Sequence, residues 1–313
     1  MKLTKKDVQE VCDAYEVGKV KEFKLIPSGI INYNFKVKTD KGEFIVRKLG
    51  YRLNNKYWNR QKKLEILILN YLHEHKFPYP TPMFLKNKNG NLISLIKGNL
   101  YEVYPRIKGR KISKLNEKKR ESIARALAVY HKFVSKFVIP KEFKKIDNYG
   151  WIRKKYAKIK NIIPKSKLDN LALSNVGFFE ELLNRVLNLD LNKGLLITHS
   201  DFNKGNVVFI GDEISGILDF ENVRYEPKVN DLLKIIRPDK PKFNQFLKFY
   251  RKYGRLSKAE EKNILAAAIL KNCNMFWWSY FGMKKKPELR YPTLLRTIKK
   301  TKVYWELWRK NER

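Results

Sequence analysis

Three short apolar runs, Leu195 to Thr198, Val207 to Ile210 and Ile214 to Leu218, break into a stretch of chain that reads as helix on both sides. Their length and bounding turn residues predict strands. Gly211-Asp212 supplies a turn between the last two, so they form a hairpin. A hairpin sets the residue before its first strand beside the residue after its second. Asn206 and Asp219 therefore meet, however the rest of the chain folds.

The loop that leads into this hairpin is Thr198-His199-Ser200-Asp201-Phe202-Asn203-Lys204-Gly205-Asn206. With Asp219-Phe220 beyond it, the pattern is His-x-Asp-x-x-x-x-Asn followed by Asp-Phe. These residue types suit phosphoryl transfer. That chemistry needs an aligned hydroxyl, a carboxylate to take or orient its proton, and metal ions across the phosphates. Asp201 is the candidate carboxylate facing an acceptor hydroxyl. Mg2+ prefers oxygen ligands, and Asn206 and Asp219 offer a carbonyl and a carboxylate. His199 is expected to hold the loop by bonding backbone or Asp219.

The preceding sequence divides in two. Thr4 and Asp7 form a capping signal for a helix to Glu16. Val20 to Ile26, Tyr33 to Thr39 and Phe44 to Leu49 read as strands, with Asp40-Lys41-Gly42 as a turn. Trp58 to His75 is a helix, stopped by Pro78, Pro80 and Pro82. Strands are expected near Met83 to Leu85, Leu92 to Leu95 and Leu100 to Ile107. Ser113 or Asn116 then caps a helix through Phe133. Further helices are expected over 149–160, 176–189, 228–236, 241–253, 258–282 and 291–309. The layout is α+β: a strand-rich part, residues 1–105, and a mainly helical part, residues 106–313.

The chain has 313 residues and a formal charge of +37, from 68 Lys+Arg against 31 Asp+Glu. A nucleic acid, an anionic surface or an anionic small molecule suits that balance. The lysines are scattered, as in Lys62-Lys63, Lys144-Lys145 and Lys154-Lys155, which favours a solvated surface over a nucleic-acid arm. Two distant cysteines, Cys12 and Cys273, fit neither a disulfide framework nor a zinc site. The N-terminal residues lack the apolar core of a signal peptide, and no apolar run reaches membrane-spanning length. A cytoplasmic protein is expected.

The loop and hairpin together resemble the catalytic and metal-binding loops of the aminoglycoside phosphotransferase and choline kinase superfamily, relatives of the protein kinases. The resemblance implies a two-lobed protein-kinase-like fold, with a nucleotide-binding lobe over 1–105 and a catalytic, acceptor-binding lobe over 106–313. It also implies ATP and Mg2+ as cofactors, Asp201 as catalytic base, and Asn206 and Asp219 as magnesium ligands. Glu221 stands where protein kinases usually have Gly. Asp231 matches a family Asp that braces the catalytic loop.

Weaker likenesses extend this reading. Ser28-Gly29-Ile30-Ile31-Asn32-Tyr33-Asn34 resembles the Gly-x-x-Asn-x-Asn stretch of bacterial choline kinase-like and homoserine kinase-like proteins. Backbone N–H groups around Ser28 and Gly29 would cradle phosphates there, with Asn32 in the same element. Phe44-Ile45-Val46-Arg47-Lys48 resembles the strand whose cation pairs with ATP phosphates. Arg47 aligns best, and Glu65 would be its ion-pair partner. Tyr101 to Gly109 resembles the hinge, where backbone groups of Glu102 to Tyr104 would hold adenine.

The implied reaction is phosphorylation of a hydroxyl on a small molecule, with choline, ethanolamine or a homoserine-like amino acid as acceptor. The C-terminal aromatics Phe276-Trp277-Trp278, Tyr304-Trp305 and Trp308 would suit a quaternary ammonium ion, or simply a helical core. Polycationic aminoglycosides conflict with a charge of +37. The alternative is a nucleic-acid-associated or protein-phosphorylating kinase-fold protein that uses its basic surface.

Overall fold

Thr4 caps the first helix through a reciprocal bond with Asp7, as the sequence predicts. The computed structural model of the chain describes residues 3–27, 32–50, 55–283 and 286–312. It divides into two compact units. The first comprises Met1–Ser122 with Asn203–Val223, and the second Ile123–Phe202 with Arg224–Arg313. This partition differs from a single cut between 105 and 106, because the hairpin after residues 198–206 packs with the strand-rich part. Ile217 donates its N–H to Pro80 O at 2.9 Å, and Arg110 exchanges backbone bonds with Phe209.

In the first unit, α1 (Lys5–Ala14) precedes β1 (Val20–Ile26), β2 (Tyr33–Thr39) and β3 (Glu43–Lys48). Then follow α2 (Lys56–Glu74), β4 (Ser94–Ile96) and β5 (Asn99–Pro105). The five strands form one antiparallel sheet in the order β1-β2-β3-β5-β4. Alternation in β2 sends Phe35 and Val37 into a core with Val46 and Val103, which Val8 and Val11 of α1 cover. Met83 to Leu85 is not a strand. Leu85 donates its N–H to Val103 O at 2.8 Å, a single bond beside β5 rather than a ladder.

α3 (Glu117–Val134) follows, with Asn116 rather than Ser113 accepting the Lys119 N–H at 2.8 Å. The second unit contains α4 (Ile152–Lys160), α5 (Lys167–Leu187) and β6 (Leu195–Thr198). β7 (Val207–Ile210) and β8 (Glu213–Ile217) make the expected hairpin, in register Val207↔Ile217. β9 (Arg224–Pro227) pairs antiparallel with β6 and escaped sequence reading, because Arg224, Glu226 and Pro227 are poor strand signals. α6 (Val229–Ile235), α7 (Lys242–Tyr253), α8 (Lys258–Trp277) and α9 (Arg290–Glu312) complete the chain. α5 starts nine residues earlier than its apolar stripe suggested, because Ser166 caps it through the Asp169 N–H.

The core of the helical unit joins α4, α5, α8 and α9. Phe276 is fully buried and stacks on Phe179 with centroids 4.2 Å apart. Tyr304 and Trp308 belong to the same core. The aromatic run is thus largely packing. Among the described residues no helix is long and apolar enough to cross a membrane.

Candidate active site

The hairpin does what its spacing demands. Leu218 donates its N–H to Asn206 O at 2.7 Å, closing the ends of β7 and β8. Asn206 and Asp219 both line one cavity of about 390 Å³ within the first unit. Asp219 adopts the left-handed conformation, φ 67° and ψ 63°, just before a short 3-10 turn. Left-handed backbone is unfavourable for most side chains and tolerable for Asp. Here it turns the chain sharply at the cavity wall.

Arg47 faces the same cavity from β3. Its guanidinium is held on several sides. Nε donates to Asn34 Oδ1 at 2.9 Å and Nη2 to Tyr104 Oη at 3.2 Å. Nη1 lies 3.3 Å from Glu102 and 3.8 Å from Glu65, and Nη2 lies 3.8 Å from Asp219. Burial opposes the charge, but Tyr104 and the three carboxylates outweigh it and hold the pKa well above the usual arginine range. Arg47 is therefore a fixed cation beside Asp219.

Lys62 completes the cluster, although its place in Lys62-Lys63 suggests a surface lysine. It is 7% exposed, bonds Glu65 at 2.6 Å and Glu102 at 2.7 Å, and sits 4.5 Å over the Phe84 ring. Burial raises the pKa of Glu65, while Lys62 opposes that rise. The sequence reading paired Glu65 with Arg47 alone. In the structure Glu65 is shared, and its shorter partner is Lys62.

The remaining expectations on this unit fall unevenly. Ser28 and Gly29 lie outside the described residues. Asn32 does not line the cavity: its Oδ1 accepts the Gly50 N–H at 3.0 Å and its amide bonds Glu221. Burial pushes the Glu221 carboxyl up to about 7, and neighbouring Asp219 adds to this. Glu102 does not line the cavity either. Its side chain is committed to the ion cluster, and its backbone pairs with Arg47 in the β3/β5 ladder. Tyr104 does line it, followed by Arg106, Ile107 and Gly109. Gly109 is required there: its φ is +133°, and a Cβ would come within 2.3 Å of Ser215 Oγ. Apolar Leu25, Ile45, Ile107 and Leu218 line the cavity with cationic Arg47 and Lys111. Such a lining offers apolar walls for a flat base and positive charge for phosphates.

Asp201 belongs to the helical unit. Its carboxylate lies 3.8 Å from Lys234 on α6. Its own N–H donates to His199 Nδ1 at 3.3 Å, so the histidine holds the loop rather than facing a substrate. His199 is fully buried. The bracing carboxylate is Asp231, also fully buried, which accepts the N–H groups of His199 at 2.9 Å and Ser200 at 2.7 Å. His131 Nε2 reaches it at 3.1 Å. Burial alone would raise the Asp231 pKa, but the bond from His131 and the loop N–H groups bring it below the usual carboxylate range. Ser200 has φ 59°, so these bonds sustain an uncommon backbone conformation next to Asp201.

The residues sequence reasoning missed are Asn34, Lys62 and Glu226. Asn34 was quoted only as part of a motif, yet its pairing with Arg47 across β2/β3 follows from the hairpin register. Glu226 accepts from Thr198 Oγ1 at 2.8 Å and Ser200 Oγ at 2.6 Å, tying β9 to the loop that carries Asp201.

Residues 22–258 match the model of the APH phosphotransferase enzyme family. The chain is 26% identical over 221 residues to a homoserine kinase of Rhizobium meliloti (strain 1021). That match covers 70% of this chain and 63% of the relative, under two thirds of its length. Among solved structures, the microcompartment-associated aminopropanol kinase aligns with a TM-score of 0.69 at 13% identity, over 95% of this chain and 96% of the other. The AMP-bound spectinomycin phosphotransferase APH(9)-Ia aligns with 0.67 at 15% identity, over 96% and 98%. These likenesses show the protein-kinase-like fold.

Proposed function

Because the chain belongs to the phosphotransferase enzyme family, we propose that it transfers the γ-phosphoryl group of ATP, with Mg2+, to the hydroxyl of a small amino acid of the homoserine kind. The observation that carries this reading is the meeting of Asn206, Asp219 and Arg47 on one cavity.

In this reading the apolar part of the cavity takes the purine, near Ile107 rather than Glu102, and Arg47 takes phosphate oxygens. Arg47 is held by Asn34 and Tyr104 before the nucleotide arrives, so little side-chain entropy is lost on binding. Asn206 and Asp219 would hold magnesium; a carbonyl and a carboxylate are the hard oxygen donors this ion takes. Bound there, the ion would neutralise phosphate charge as it develops. Asp201 would accept the proton of the acceptor hydroxyl. Asp231 and His199 would fix the loop that presents it.

The homoserine kinase of Rhizobium meliloti supports an amino acid acceptor. The positive charge of +37 argues against a polycation. Burial of Phe276, Tyr304 and Trp308 in the helical core removes much of the support for a choline cage. The test is acceptor-dependent ADP release with Mg2+ and ATP, across L-homoserine, choline, ethanolamine and 3-amino-1-propanol. L-Homoserine is expected to give the highest kcat/KM. Magnesium-ATP stabilisation without turnover of any acceptor would reject the acceptor class. Salt-sensitive RNA binding without nucleotide stabilisation would favour the nucleic-acid alternative instead.

A further inference from the structure

The helical unit contains a cavity of about 300 Å³ of its own. Its walls are the loop before α4, the C-terminal end of α5, β9 and α8. Val186, Leu189 and Leu270 supply apolar surface, while Lys145, Asp147, Arg224, Glu226 and Lys271 supply charge. We propose that this cavity receives the phosphoryl acceptor by its carboxylate, held by Lys271 and Arg224, so that the substrate is a small hydroxy acid. This rests on the phosphotransferase reading above.

Lys271 is the central observation. It projects from α8, and its Nζ donates to Asn230 O at 3.0 Å. Among the described residues, no carboxylate lies within ion-pair distance of it, and an ammonium has three donors to satisfy. Burial pulls its pKa down to about 8, with Lys234 adding to the effect. A half-buried ammonium bonded to one carbonyl in a cavity wall gains from an incoming anion more than a fully exposed lysine does.

Among the described residues two carboxylates line this wall, and both are engaged: Asp147 Oδ1 accepts the Tyr149 N–H at 2.9 Å and the Trp151 Nε1–H at 3.0 Å, and Glu226 is bonded on both oxygens. Its Oε1 accepts from Thr198 and Ser200, and its Oε2 from Asn230 Nδ2 at 2.8 Å. Its acceptor capacity goes to Thr198, Ser200 and Asn230, and it offers little to a cationic ligand. The cavity therefore seeks an anion. It is also joined to the reacting region: Glu226 bonds Ser200, which adjoins Asp201, and Lys234 lies 3.8 Å from the Asp201 carboxylate. On this proposal the carboxylate of the ligand sits at Lys271 and its hydroxyl is directed toward the Asp201 loop.

The experiment compares L-homoserine and 4-hydroxybutyrate, which carry a carboxylate, with 3-amino-1-propanol, which is homoserine without it. Binding is measured by titration calorimetry on the full chain, for wild type, Lys271→Met and Arg224→Gln. Circular dichroism checks that each variant is folded; Arg224 is exposed, so its variant keeps the test open if Lys271→Met fails to fold. We expect wild type to bind both acids. Each variant should lower the preference for L-homoserine over 3-amino-1-propanol at least tenfold. Equal preference in wild type and both variants, or no binding of either acid to wild type, overturns the proposal. Lys271-dependent binding without ADP release would refute the acceptor reading and leave carboxylate recognition standing.

Discussion

Arg47 Nη2 stands 3.8 Å from Asp219 Oδ1, joining the middle of the antiparallel sheet to the end of the β8 strand. The same guanidinium bonds Asn34 and Tyr104, so it cannot swing away from the cavity without breaking both. Arg47→Met should weaken ATP binding about tenfold or more, the scale of a lost charge-assisted bond. Arg47→Lys should recover little, because an ammonium cannot reproduce the fork that meets several partners. Equilibrium titration with ATP and Mg2+ checks both.

Asp201→Asn should lower kcat by about 10²-fold or more while leaving ATP affinity within about twofold, since a positioned base acts on the transition state. Steady-state kinetics and nucleotide titration separate the two. Undiminished kcat would remove Asp201 from the mechanism.

Asp219→Ala should abolish the additional thermal stabilisation that Mg2+ gives in the presence of ATP. The variant loses the carboxylate that the hairpin sets beside Asn206. Thermal melts with ATP, with and without Mg2+, are the measurement. Retained magnesium dependence would locate the ion at other ligands.

Lys62→Met leaves Glu65 and Glu102 buried without their shorter cationic partner. A loss on the order of 3 kcal/mol is expected, because removing one member of a buried ion cluster strands the others. Adding Glu102→Gln in the same chain should recover part of it. Urea denaturation of the single and double variants reads the coupling.

Asp231 has a pKa below the ordinary value in the folded chain, so its bonds stabilise the fold above the unfolded-state pKa of about 4. That contribution is lost as pH falls through the folded value. Asp231→Asn should cost on the order of 1–3 kcal/mol at pH 7. The difference from wild type should shrink progressively below about pH 4. Chemical denaturation across pH 3 to 7 tests the sign: a gap that widens in acid would contradict it.

Some of this protein is legible residue by residue. The Asn206/Asp219 pair could be read because a hairpin is local: two short strands and a two-residue turn leave its ends no other arrangement. Arg47 is chosen over Lys48 by its likeness to the family strand; alternation says only that the two point to opposite faces. The capping box at Thr4 and Asp7 is equally local. Met83 to Leu85 misled because apolar residues in sequence do not reveal whether backbone partners exist. β9 was missed for the converse reason: β6 supplies its partner, and its own residues do not.

The sequence alone determined the hairpin, the meeting of Asn206 with Asp219 and the order of strand-rich and helical segments, since each follows from bonds or turns within a few residues. Tertiary structure decided that Lys62 is an enclosed cation, that Glu102 is committed to side-chain pairing, and that Lys271 opens onto a cavity. Those outcomes depend on burial and on partners from other elements. Local patterns do not encode which charged groups lose their water when distant segments pack.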